Sequence, residues 1–340
     1  MKKFLSILFL INFTLWSCGP HTPKKEFKIN GLAQGTYYAI TYYDKEEQDL
    51  QPSIDSFFKA FDYSASNYLN QSIISRFNRN DTDVVADNNF TAVFNKAMEV
   101  SVKTNGAFDI TVMPLINAWG FGFTDPMKLD SAKIDSILPL IDYRNVQLIN
   151  GKLVKKNPDI MIDFNAIAQG YSADLIGQIL ESKGIQDYLI DVGGEVLAKG
   201  TKAKKELWRV GIEQPAADAD AARTLNSVVK LENKALATSG NYRKYIIKDG
   251  KRYSHTIDPK TGFPVEHTAL SVSVLADDCM TADAYATAFM VMGVEKTKAF
   301  LDQHPELEAY IIYSDKNDEL KTWGSKGLLA IIENEAPATK

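Results

Sequence analysis

Cysteine is nearly absent from this sequence of 340 residues, which carries only Cys18 and Cys279. If Cys18 is consumed by processing, Cys279 has no partner and an intrachain disulfide is excluded. Histidine is also scarce: His21, His255, His267 and His304 are scattered, and none stands at zinc-ligand spacing from another or from a cysteine. A metal held by this chain would therefore rest mostly on oxygen ligands, which points to Mg²⁺ or Ca²⁺. Positive charge is not in excess, with 38 Lys and Arg against 43 Asp and Glu and a net charge of −5. That balance, without a local basic patch, excludes nucleic acid as the expected partner. The strand-linked G-x-G-x-x-G, the G-x-x-x-x-G-K-[ST] loop and the G-x-S-x-G elbow are all missing, so a Rossmann, P-loop or α/β-hydrolase reading has no support. Internal repeats, low-complexity blocks and long proline-rich linkers are missing as well.

What is present begins with a core. A hydrophobic content of 45% with 24% charged residues describes a globular chain able to bury one large core or two modest ones. At the N-terminus, Lys2 and Lys3 precede an apolar run from Phe4 to Trp16 that stops at Ser17-Cys18. This is the shape of a signal peptide over 1–18, too short to serve as a spanning anchor. Its end, Leu15-Trp16-Ser17-Cys18, resembles a bacterial lipobox, in which the cysteine is acylated. Acyl chains contribute about 0.8 kcal/mol per buried methylene, so lipidation at Cys18 would hold the protein on a membrane. An ordinary secretory signal with an incidental cysteine is the alternative. Residues 19–27 read as a tether, and 28–335 as one intimately packed domain.

Within that domain, residues 31–43 alternate as a strand, and 52–62 and 89–104 have helical period. Gly151 marks a hairpin between 146–149 and 153–155. A short strand at 160–162 feeds a helix from 168 to 183 that Gly184 closes. Strands follow at 187–192, 195–199, 207–212, 226–231, 242–248 and 251–256, the last two joined by an Asp249-Gly250 turn. Helices at 281–292 and 295–303 and a strand at 308–313 complete an α+β pattern.

Three stretches hold candidate chemistry. In Thr281 to Met292, Asp283 and Thr287 are four apart and share a helix face, while the helix is apolar nearly all round and so buried. A buried carboxylate must be paired or metal-bound. Spacing leaves both a satisfied core aspartate and a metal ligand open. Asp163 stands where a strand meets a helix, a place for either a cap or a ligand contact. His255 and Asp258 lie in a turn rich in proline and glycine, suited to proton or phosphate work or to plain turn capping. Gly193-Gly194 is either a tight turn or a place where a flat ligand approaches the backbone.

In order, the chain carries Gln34-Gly-Thr36, Ser66-Asn-Tyr68, Ser72 to Asn78, Gly106-Ala-Phe-Asp-Ile-Thr111, Pro114-Leu115 and Trp119-Gly120. It continues with Asp163 to Asp174, Asp191-Val-Gly-Gly194, Thr238-Ser-Gly240, His255 to Pro264, Ser271-Val272 and Thr281 to Ala288. This ordered set resembles the ApbE family of FAD:protein FMN transferases over nearly all of 31–313. The resemblance implies an α+β fold of mixed or antiparallel sheets packed with helices around an extended FAD cleft. It implies transfer of FMN from FAD to a threonine of an acceptor protein, with release of AMP. By the same resemblance, Mg²⁺ is held by Asp283, Thr287 and the carbonyl of Ala166. Tyr68 lies on the isoalloxazine ring, Ala107, Phe108 and Asp109 contact FAD, Asp163, Gln169 and Ile257 complete its site, and His255 stands near the phosphates. Gln34 stands where the family often has methionine, and Gln169 where many members have lysine. The expected acceptors are subunits of membrane redox complexes, and the expected location is an exported, lipid-anchored one on the periplasmic side. The alternatives are an FAD pyrophosphatase, with water attacking in place of threonine, and a non-catalytic FAD-binding lipoprotein.

Overall fold

Alternate residues of the first hairpin set its two faces. In β1 (Lys25–Ala33) and β2 (Thr36–Asp44), Ile29, Tyr38, Ile40 and Tyr42 are buried in one apolar cluster, and Tyr43 enters another on the opposite side. That separation follows from the two-residue period of a strand. Gln34 and Gly35 turn the chain with φ of 52° and 73°, as a two-residue hairpin requires. The single strand expected over 31–43 is therefore two paired strands, and Lys25–Phe27, read as tether, already belong to the first.

The computed structural model describes residues 23–123, 127, 129–215, 222, 224–242, 245–248 and 251–333. The signal segment, Cys18 and the Asp249-Gly250 turn lie outside the described residues.

Six further strands extend the hairpin: β3 (Asp187–Val192), β4 (Glu195–Lys199), β5 (Lys234–Gly240), β6 (Ala269–Ala276), β7 (Glu308–Ser314) and β8 (Leu320–Gly324). They build one eight-stranded sheet in plain sequence order, each neighbouring pair antiparallel. Its faces separate cleanly in the sequence. Ala235, Ala237, Val274 and Ile311 join the cluster under the helices, while Leu236, Leu275 and Ile312 join the other. The helical layer comprises α1 (Gln51–Ala65), α2 (Ile73–Asn78) and α3 (Asn88–Lys103), together with two further helices at Ala168–Ser182 and Cys279–Leu301. The opposite face is covered by a small antiparallel sheet of Trp208–Glu213, Leu225–Leu231 and Ile332–Glu333.

A third cluster forms a lobe from α4 (Met113–Trp119), α5 (Ser131–Ile137) and the segment around Ile257. Trp119 anchors it: the indole N–H donates to the Gly262 carbonyl at 2.9 Å, and the ring packs on Tyr253 and Phe263.

α6 (Ala168–Ser182) ends before Gly184, whose φ of 82° suits the left-handed position there. α7 runs from Cys279 to Leu301 and is broken at Gly293 (φ 74°, ψ 179°), so the two expected helices abut at one kink. As expected, α7 is buried nearly all round, including Ala282, Asp283, Ala286, Phe289 and Met290.

The expected strand at 160–162 is not one. Residues 160–164 form no strand and pair with no neighbouring strand. Asn78 serves as the partner: its side chain accepts from the Ile162 N–H at 2.8 Å and donates to the Ile162 carbonyl at 2.9 Å. The Asp163 N–H reaches the Ile110 carbonyl.

Candidate active site at the crossing of two helices

The start of α6 and the first half of α7 approach each other at Gly170. A Cβ there would sit 2.4 Å from the Cys279 carbonyl oxygen and 2.8 Å from the Asp283 Cβ, so only glycine permits the contact. The crossing is braced in both directions. The Gly170 N–H donates to Asp283 Oδ2 at 3.0 Å, and Asp174 on α6 accepts from the N–H groups of Cys279 and Met280 at 2.7 and 2.9 Å. Asp278 caps the same end of α7 through the Thr281 N–H and hydroxyl.

Asp283 is 6% exposed. Burial pushes its carboxyl up to about 7, and the Gly170 N–H opposes that rise. This is the one hydrogen bond to the carboxylate among the described residues. One turn further, Thr287 is half-buried with its Oγ1 3.1 Å from Ser239 Oγ. A buried carboxylate with a single donor and a hydroxyl on the same face offers hard oxygen ligands. Among the described residues there is no group of three or more His, Cys, Asp or Glu placed to hold a metal. An ion here would thus depend on hydroxyl and carbonyl oxygens, such as the Thr287 hydroxyl, as well as on Asp283. The residues fit an oxygen-ligated divalent cation.

Asp163 is buried, and its carboxyl is raised by that burial. Its Oδ1 accepts from Asn67 at 2.7 Å and from the Asn165 N–H at 3.3 Å, so it ties two loops and does not cap α6. Next to Asn67, Tyr68 leaves 75% of its surface exposed, and its ring meets that of Phe123 edge-on at 4.8 Å. Phe121, in the same segment as Phe123, lies edge-on to His255. Ile257 is buried in the lobe and bridges to Pro264.

Ala107 and Phe108 are buried. Asp109 spends both oxygens inside the protein: Oδ1 accepts from the Thr111 N–H and hydroxyl, Oδ2 from the Tyr143 N–H. Its side chain therefore ties the 107–109 segment to Thr111 and Tyr143. Gln34, at the β1–β2 turn, docks on α6 by donating to Ser172 Oγ at 2.6 Å, and its own oxygen is buried without a partner. Gly193 packs beside Thr36 and within reach of Gln169, and Gly194 closes the β3–β4 turn on Asp191. The structure thus gathers Gln34 with Gln169, Asp163 with Tyr68, and Asp283 with Thr287, while Cys18 lies outside the described residues. Asn67, Asn78, Asp174 and Ser239 were not singled out from the sequence, although each lies within one of the ordered motifs. A cavity of about 410 Å³ lined by Lys96, Asp174, Glu181, Lys199 and Asp278 includes none of the residues expected to hold FAD.

Residues 34–311 match the ApbE family. The chain belongs to that family. It is 33% identical over 317 residues to the FAD:protein FMN transferase of Vibrio cholerae, covering 90% of this chain and 93% of that protein. It is likewise 33% identical over 323 residues to the Escherichia coli K12 protein of the same name, covering 90% and 89%. Among solved structures, the flavin transferase ApbE from Vibrio cholerae superposes with a TM-score of 0.81 at 30% identity, over 91% of this chain and all of that one (100%). The apo flavinyl transferase ApbE from Pseudomonas stutzeri gives 0.80 at 29% identity, over 91% and 97%. The α+β architecture of this ApbE chain is the one these structures share.

Proposed function

We propose that this ApbE-family chain is an FAD:protein FMN transferase that uses Mg²⁺ to move FMN from FAD onto a threonine of an acceptor protein. The observation that carries the reading is the buried Asp283 carboxylate, held by one N–H at the α6–α7 crossing and one turn from Thr287. Asp283, Thr287 and the Ala166 carbonyl would hold Mg²⁺, which supplies charge neutralisation and alignment at a pyrophosphate.

The chain's own residues prepare the rest. Tyr68 offers an exposed aromatic face to a planar flavin. Asp163, fixed by Asn67, and the Gln34 and Gln169 amides line the approach. The acceptor threonine oxygen forms a bond to the FMN phosphorus as the bond to the AMP oxygen breaks. His255 takes the threonine proton, and AMP leaves with the electron pair.

The test mixes the full-length chain with FAD, Mg²⁺ and an acceptor domain, followed by intact mass and nucleotide analysis. An acceptor heavier by one FMN, AMP release and inhibition by EDTA support the proposal. Free FMN and AMP with unmodified acceptor would turn the reading to a pyrophosphatase. Asp283→Ala is expected to lower the Mg²⁺-dependent rate by at least ~10³-fold, the scale of losing a metal's charge stabilisation. Wild-type activity in that variant removes the metal assignment.

The signal-like segment and Cys18 further support an exported lipoprotein, anchored to a bacterial membrane on the periplasmic side and acting on subunits of membrane redox complexes. Cys18→Ala should then lose incorporation of labelled fatty acid in cells, and undiminished labelling would count against lipidation at this residue.

A further inference from the structure

The sequence Thr238-Ser239 divides its two hydroxyls between the faces of β5. Thr238 bonds Ser273 Oγ at 2.7 Å, and its neighbour Leu236 on the same face packs in the cluster away from the helices. Ser239 points the other way, on the face where Ala235 and Ala237 are buried against the helical layer. The small side chains at these positions let α7 lie close to the strand, and the antiparallel register with β6, Ser239 opposite Val272, fixes the backbone. The outcome is a contact of 3.1 Å between Ser239 Oγ and Thr287 Oγ1. It is the one hydrogen bond that either hydroxyl makes among the described residues.

In the free protein either oxygen can be the donor in that pair. A cation on Thr287 removes the choice. A hydroxyl that ligates a cation presents a lone pair to it, and its hydrogen is driven to the far side, where it needs an acceptor. Ser239 Oγ is the acceptor in place. We infer that Ser239 is a positioning residue for metal binding: it takes the Thr287 hydrogen and so leaves the Thr287 lone pair aimed at the ion. This deepens the proposed reading of Asp283 and Thr287 as Mg²⁺ ligands and rests on it. Without Ser239, the Thr287 hydroxyl must seek water or turn its hydrogen towards the ion. The chemical step itself does not involve Ser239.

The test compares the full-length wild type with Ser239→Ala, Ser239→Thr and Asp283→Ala. Two quantities are followed against Mg²⁺ concentration: the thermal stabilisation given by FAD, and the rate of FMN transfer. Ser239→Ala should move both Mg²⁺ midpoints upward about tenfold, the usual cost of losing a partner behind a metal ligand, and recover most of the maximal rate at saturating Mg²⁺. Ser239→Thr, which keeps the acceptor oxygen, should restore the midpoints. A wild-type midpoint in Ser239→Ala overturns the inference, as does a lower melting temperature of the Mg²⁺-free, FAD-free protein with an unchanged midpoint. If Asp283→Ala keeps the wild-type midpoint, the metal reading fails and the inference fails with it.

Discussion

Where α6 crosses α7, Gly170, Asp174, Cys279 and Asp283 are joined by backbone-to-carboxylate hydrogen bonds, and no Cβ fits at position 170. At the edge of the lobe built on Trp119, by contrast, Tyr68 and Phe123 leave 75% and 49% of their surfaces in water and touch each other edge-on. The first region fixes charge with groups that cannot reorient, which suits a site where an ion must be met in one geometry. The second offers apolar faces held by their own segments, which suits a planar ligand that stacks without directional bonds. On the proposed function, the rigid crossing would take the pyrophosphate and the open aromatic edge the flavin.

The sharpest way to break this contrast is to insert one methyl group at the crossing. Gly170→Ala would place a Cβ against the Cys279 carbonyl and Asp283. Overpacking of this kind costs about 1–3 kcal/mol, and here the strain falls on Asp283 itself. Chemical denaturation should register that loss, and the Mg²⁺ requirement for transfer should rise with it. A variant of unchanged stability and Mg²⁺ dependence would mean that the helices separate easily and the crossing is not rigid.

Tyr68→Ala probes the other side. With 75% of the residue's surface exposed, the side chain contributes little to folding, so the melting temperature should hold. Losing one stacking face is expected to weaken flavin binding about tenfold, read as a higher KM for FAD with little change in kcat. A fall in melting temperature without a change in KM would show that the ring packs the protein and does not bind flavin.

The same contrast explains what the sequence revealed. α7 was legible because its apolar residues run round the whole helix, leaving Asp283 as a buried charge in need of a reason. β5 and β6 were missed as elements: six of the last seven residues of β6 are buried, on both faces, and a strand buried on both sides loses the alternation that marks it. Residues 160–162 misled in the opposite sense. They are apolar, yet the backbone partner of Ile162 is the Asn78 side chain, 84 residues away in sequence, which no local pattern encodes. α2, α4 and α5 span only six or seven residues, too short for a helical period to emerge. The site followed the same rule. Its motifs were visible in order, but the roles of Asn67, Asp174 and Ser239 depend on partners brought close only by the folded chain.

The smallest expected effect separates the brace from the ligand it supports. Burial and the nearby Asp278 and Asp283 push the Asp174 carboxyl up to about 7, against the pull of the Cys279 and Met280 N–H groups. A carboxyl raised in the folded state gives its stabilisation in full below its unfolded value, 3.8, and loses it as pH rises through about 7. Asp174→Asn removes that titration, but its amide can accept with one oxygen where the carboxyl uses two, so one N–H at the start of α7 loses its partner. The variant should be less stable than wild type by about 1 kcal/mol at pH 5, the net worth of one such bond. The gap should narrow by pH 8, because only the wild type then bears a charge under α7. Urea unfolding at the two pH values measures both differences. A gap that widens with pH would mean that the two N–H groups outweigh burial, and that the brace is strongest when Asp174 is ionised.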